Sequence, residues 1–230
     1  MFQLHILLFF ISTIAFPAKI VETDTTFISR EVTNNYYHAV YIEKNRKSKD
    51  YKNLLNFKMA KWDADGYKEN LTYLKKHEAI KTKVLVNLAK EWMPLYKYKG
   101  KYYIYSPSEW GNIDRRILTD STLIYWSMES PTPAPFQVVK KINQHTYFIQ
   151  SKAFYLDEKP FSKLTIHIID VKKNITIWES TLSNGSKHYG LYVARQNAAN
   201  FDMIVNYCNE HKVMEFQFDQ IDYLALLKGR

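Results

Sequence analysis

The sequence predicts a mainly β protein, an antiparallel barrel or sandwich built from hairpins, with one amphipathic helix near the C-terminus and a mixed α/β N-terminal part. Three observations carry this. From Phe136 onward short alternating runs recur between turn residues. Near the C-terminus Phe201, Ile204, Val205 and Cys208 fall at helical spacing. The composition, 46% hydrophobic and 16% aromatic, is that of a chain that packs a core.

The opening MFQLHILLFFISTIAFPAKI carries an apolar run from Ile6 to Ile11 that is too short for a bilayer, which takes about 20 residues. With Thr13 and Ala15 as a small-x-small pair, residues 1–18 read as a signal peptide cut near Ala15 or Ala18. Export to the periplasm or the cell exterior is the expected localisation, and the mature chain has no further segment of spanning length. Tyr36–Ile42 reads as a strand and Glu43–Asp50 as a charged loop. Asp63-Ala64-Asp65-Gly66 reads as an Asp-Gly turn. An EF-hand is excluded because its first and last ligand positions would be Lys61 and Thr72. Leu71–Ala89 fits helix or strand.

Pro94–Gly111, PLYKYKGKYYIYSPSEWG, contains five tyrosines and three lysines. A type II′ turn at Gly100-Lys101 pairs Tyr98 with Tyr103 and Tyr96 with Tyr105, so that four rings share a face. That ladder reads as a core-facing side. As an exposed platform it is also the candidate ligand-binding surface: Tyr96, Tyr98, Tyr103 and Tyr105, with Lys97, Lys99, Lys101 and Trp110.

SPTPAPF, with Pro131, Pro133 and Pro135, is extended. It is expected as one long loop within a single β-rich domain of residues 19–230. The alternative is a linker between domains of residues 19–130 and 136–230. FQVVKKI and HTYFIQ form one hairpin, and KLTIHIID and NITIWES a second. In the second, Leu164, Ile166 and Ile168 share a buried face, as do Ile175 and Ile177, with Thr165, His167 and Thr176 opposite. YGLYVAR is a further strand. Residues Ala198–Glu210 form the amphipathic helix, VMEFQF alternates with Met214, Phe216 and Phe218 inward, and Asp219 caps a short closing helix.

Of the formal charge of +9, the window Lys44–Lys101 holds 16 Lys or Arg against 6 Asp or Glu, a surplus of 10. An electropositive region favours anionic lipid, glycan or another polyanion as partner; no specific nucleic-acid motif accompanies it. Cys208, the only cysteine, excludes a disulfide framework, and its place in an apolar stripe marks it as a core residue. The histidines show no close ligand spacing, so no metal and no cofactor is expected. Six glycines form no phosphate loop, and neither G-x-S-x-G nor S-x-x-K occurs. The expected function is that of an exported, non-enzymatic protein binding an anionic or amphipathic ligand. The rival is a glycan-acting hydrolase with Trp110, Trp126 and Trp178 stacking on sugars.

Overall fold

Alternating apolar residues and turn signals shape most of the chain into short strands, β1 (Thr25–Val32), β2 (Tyr37–Glu43), β3 (Glu91–Pro94), β4 (Tyr96–Tyr98), β5 (Lys101–Ser106), β6 (Arg115–Leu118), β7 (Thr122–Trp126), β8 (Thr132–Asn143), β9 (Thr146–Ser151), β10 (Ser162–Asp170), β11 (Ile175–Thr181), β12 (Lys187–Ala194) and β13 (Met203–Cys208). Among the described residues four helices join them: α1 (Lys49–Leu54), α2 (Lys61–His77), α3 (Arg195–Ala198) and α4 (Tyr223–Lys228). The computed structural model describes residues 24–77, 79–83, 85, 87–109, 113–126, 131–152, 162–181, 185–210 and 212–229. The expected signal segment and Trp110 lie outside these residues.

Eight strands close an antiparallel barrel in the order β10-β11-β12-β3-β6-β7-β8-β9. Its interior is filled by side chains that alternate along each strand, among them Trp92, Leu123, Phe136, Tyr147, Ile149, Leu164, Ile166 and Trp178. Trp178 packs edge-on against Trp92 at 6.0 Å and donates its indole N–H to Thr176 Oγ1 at 2.9 Å. A second sheet, β1-β2-β13-β5-β4, lies against the outer wall of the barrel. Ala39, Tyr41, Ile104, Met203 and Val205 from the sheet meet Met93, Ile175, Ile177, Leu191 and Val193 from β3, β11 and β12. Strand β11 is thus buried on both faces, and Thr176, expected outside, points into the barrel.

The two predicted hairpins form as β8/β9 and β10/β11. The proline segment is not a loop, because Thr132–Pro135 is the first part of β8 and pairs with β7. Phe136 N–H donates across to Ser121 O on the β7 side, so alternation turns the positions of Pro133 and Pro135 the other way. On that side Pro135 O accepts from Lys152 N–H at 3.0 Å, just beyond the end of β9, so the prolines sit where the ladder to β9 is only beginning and a missing donor is tolerated. Strands from both sides of these prolines close the same barrel.

The amphipathic helix expected at Ala198–Glu210 is the strand β13. Met203 and Val205 face the barrel while Ile204 belongs to the opposite face of the sheet, so every residue of Met203–Asn206 is buried. A strand covered on both faces loses its alternation, and its apolar run then mimics a helical stripe. Cys208 sits half-buried at the end of β13. Asp63 and Asp65, expected in a turn, lie in the first turns of α2, where Asp63 is buried. The closing helix is capped by Asp222, which accepts the N–H of Ala225 at 2.9 Å, not by Asp219. In VMEFQF Phe216 and Phe218 turn inward as expected, but Met214 is 83% exposed.

Candidate binding cleft

Strand β3 pairs with β12 over only three residues, Trp92–Pro94 against Tyr192–Ala194. One last bond follows, from Leu95 N–H to Leu191 O at 2.8 Å. The chain then leaves the barrel and enters the second sheet as β4. Beyond Leu191, β12 continues to Lys187 with no strand among the described residues on that side, and the barrel wall opens into a cleft of about 520 Å³. The C-terminal segment crosses the gap, held where Asp219 N–H donates to Lys97 O at 2.8 Å.

Five aromatic rings line the cleft: Tyr96, Tyr189, Tyr192, Phe218 and Tyr223. Tyr189 and Tyr223 stack at 5.6 Å with an 18° interplanar angle, which fixes α4 against β12. Its charged lining residues are Lys97, Asp114 and Asp219, so the basic surplus of the molecule is not gathered here. Asp114 Oδ2 accepts the Tyr192 hydroxyl at 3.0 Å and pairs with Arg116 at 2.8 Å, and the Arg116 guanidinium lies 4.3 Å over the ring of Tyr125. Burial raises the Tyr192 and Tyr96 phenols well above their ordinary value, which keeps both hydroxyls protonated. Burial lowers Arg116, but Tyr192 and Asp114 outweigh it and hold the guanidinium above its ordinary value. The Asp114 carboxylate is thus already engaged by its neighbours.

The described residues of the predicted site divide among core, cleft and exposed turn. The hairpin β4/β5 forms, but its turn is Lys99-Gly100, with φ of 47° and 78°, so Tyr96 pairs with Tyr103 and Tyr98 with Lys101. Positive φ at both central residues is the type I′ geometry, in place of II′. The register differs by two residues from the expected one, which preserves parity, so all four rings still share a face. Tyr103 and Tyr105 are buried, and Phe216 and Phe218 cover the ladder: Tyr96 stacks on Phe218 at 4.5 Å and Tyr98 meets Phe216 at 5.1 Å. The ladder is a core face. Among the described residues of the predicted set, Tyr96 and Lys97 line the cleft, while Lys99 and Lys101 are exposed, with the Lys99 ammonium 5.3 Å from the Tyr98 ring. Trp126 and Trp178 are buried and offer no stacking surface for a sugar.

Sequence reasoning missed Asp114, Arg116, Tyr189, Gly190, Tyr192 and Tyr223. Gly190 was the available signal, because a glycine inside an alternating strand marks a close approach. A Cβ there would stand 2.6 Å from Cε2 of Tyr192. Among the described residues no group of three His, Cys, Asp or Glu side chains is placed to hold a metal, and no helix is long and apolar enough to cross a membrane.

Fold and cleft together define a filled eight-stranded antiparallel barrel, joined to a five-stranded sheet, with a lateral cleft where the two diverge. No protein-family model, curated protein or solved structure matches the chain.

Proposed function

We propose that the protein is exported and non-enzymatic, and that it binds an amphipathic ligand in the cleft between β12, β4 and the C-terminal segment. The observation that carries this reading is the lining. Its volume of about 520 Å³ lies within the ordinary range of ligand pockets, about 300 to 1,000 Å³. Aromatic faces supply apolar contact, and a few polar groups at the margin supply orientation. A ligand with an apolar body and a polar end matches such a surface. A polyanion would find more positive charge on the lysine-rich region of residues 44–101 than in the cleft.

The test is native mass spectrometry of the protein purified from a secreting host. A copurifying amphiphile is expected, retained by the unmodified chain and released by Tyr223→Ala, which removes one wall of the cleft. Retention should change little with salt, because apolar contact is not screened. Steep loss with salt would move the site to the lysine-rich region, and the absence of any bound amphiphile across hosts would count against the reading. The same spectra examine export, for which the mature mass is expected to fall short of the full chain by about 15 to 18 residues. An exported product that retains Met1–Phe16 would overturn cleavage.

A further inference from the structure

We infer that the ligand of the cleft is an extended peptide segment, which adds as a strand to the free edge of β12 at Lys187–Gly190 and seats a side chain among the aromatic rings. This rests on the reading that the cleft binds. Its own support is the backbone. In an antiparallel strand the N–H and C=O of one residue point to the same side, and the side alternates with each residue. Leu191 O accepts from Leu95 N–H, so Leu191 faces the side of β3, and Tyr189 and Lys187 face the same way. The pairing of β12 with β11 runs unbroken from Lys187 to Val193, so no bulge resets this alternation.

Strand β3 has left the barrel by Leu95, and Asp219 pairs with Lys97 on β4 instead of with β12. Among the described residues, the Tyr189 N–H and C=O therefore have no strand opposite them. They are aimed across the open side of a cleft lined by the aromatic rings together with Asp219, Gln220 and Ile221. A sheet edge with aligned donors and acceptors is what an extended backbone recognises, and an adjoining pocket selects its side chain. A compact amphiphile would use the rings and leave the edge groups to water. A peptide uses both.

The test pans a library of random peptides of about six residues, the usual length of a strand, on the folded protein and then measures affinity. Enriched peptides should lose roughly tenfold in affinity for Tyr189→Pro, which removes the edge donor from a position that makes no bond to β11, while Tyr189→Ala keeps more of the affinity. A second arm needs no protein variant. Each single N-methyl derivative of an enriched peptide is measured in turn, and alternate positions should abolish binding while the intervening ones tolerate the methyl group. Equal binding by all N-methyl derivatives, or no enrichment over the Tyr189→Pro background, would overturn the strand-addition inference. Should a small amphiphile still copurify in that case, the cleft reading survives without the peptide, and loss of both ends both. Concentration-dependent self-association abolished by Tyr189→Pro would make the occupant a second copy and likewise overturn the peptide.

Discussion

Gly190 decides the shape of the cleft through the atom it lacks. Its carbon stands opposite Trp178 in the register, and the ring of Tyr192 folds over it to lie 4.8 Å from the Trp178 ring. A methyl group here would meet Tyr192 Cε2 at 2.6 Å, and the ring has Trp178 on one side and its hydroxyl tied to Asp114. Gly190→Ala is therefore expected to destabilise the fold by about 1 to 3 kcal/mol, the usual penalty of overpacking, and to lower ligand retention. Urea unfolding measures the first and native mass spectrometry the second; unchanged stability would mean that the ring relocates freely. The sequence made parity legible at this scale but not register. Tyr96, Tyr98, Tyr103 and Tyr105 share a face under either turn, whereas parity leaves the choice of Lys99-Gly100 over Gly100-Lys101 open, and in the fold Lys97 also pairs with Asp219, far along the chain.

Among the elements, the C-terminal segment touches both sheets, β4 through Asp219 and β12 through Tyr223, and Glu215 anchors it to β5. The Glu215 carboxylate accepts from the Tyr105 hydroxyl, from Ser108 N–H and Glu109 N–H at 3.3 Å each, and from Ser108 Oγ at 3.2 Å. Phe216 N–H donates in turn to Tyr105 Oη at 3.0 Å, which sets Phe216 and Phe218 onto the tyrosine ladder. Glu215→Ala leaves these donors without their carboxylate and should cost about 1 to 3 kcal/mol. The expected signature is local: faster hydrogen exchange over residues 213–222 and faster tryptic cleavage after Lys212, with barrel amides unchanged. Uniform loss of protection would show instead that segment and barrel unfold as one unit. Hairpins were legible because their turns and alternation are local. Strand β13 was not, because burial on both faces erases the period that distinguishes it from a helix. The cleft was hidden for a related reason, since it exists only where β3 departs from β12, and no local pattern records a departure.

Across the whole molecule, the tyrosines couple the fold to alkaline pH. Burial, the largest cause for each, raises Tyr41, Tyr51, Tyr96, Tyr105 and Tyr192 well above the ordinary phenol value of 10. A group whose pKa is higher in the folded state binds its proton more tightly there. Its contribution to stability is complete below the unfolded value and is lost as pH climbs from about 10 toward the folded value. Arg115 is shifted in the opposite sense. It is buried against α1, where it donates to the carbonyls of Asn53 and Leu54 at 3.2 and 3.3 Å, and burial pulls its pKa downward. A guanidinium nevertheless keeps its proton throughout this range, so it does not offset the phenols, and net stability should fall steeply above about pH 10. Urea unfolding at a series of alkaline pH values measures the slope, and phenolate absorbance followed alongside it identifies the cause. The absorbance due to these five of the 18 tyrosines is expected to appear only as the fold is lost. Complete ionisation of all the tyrosines near pH 10 with the fold intact would show that the rings of core and cleft are open to water.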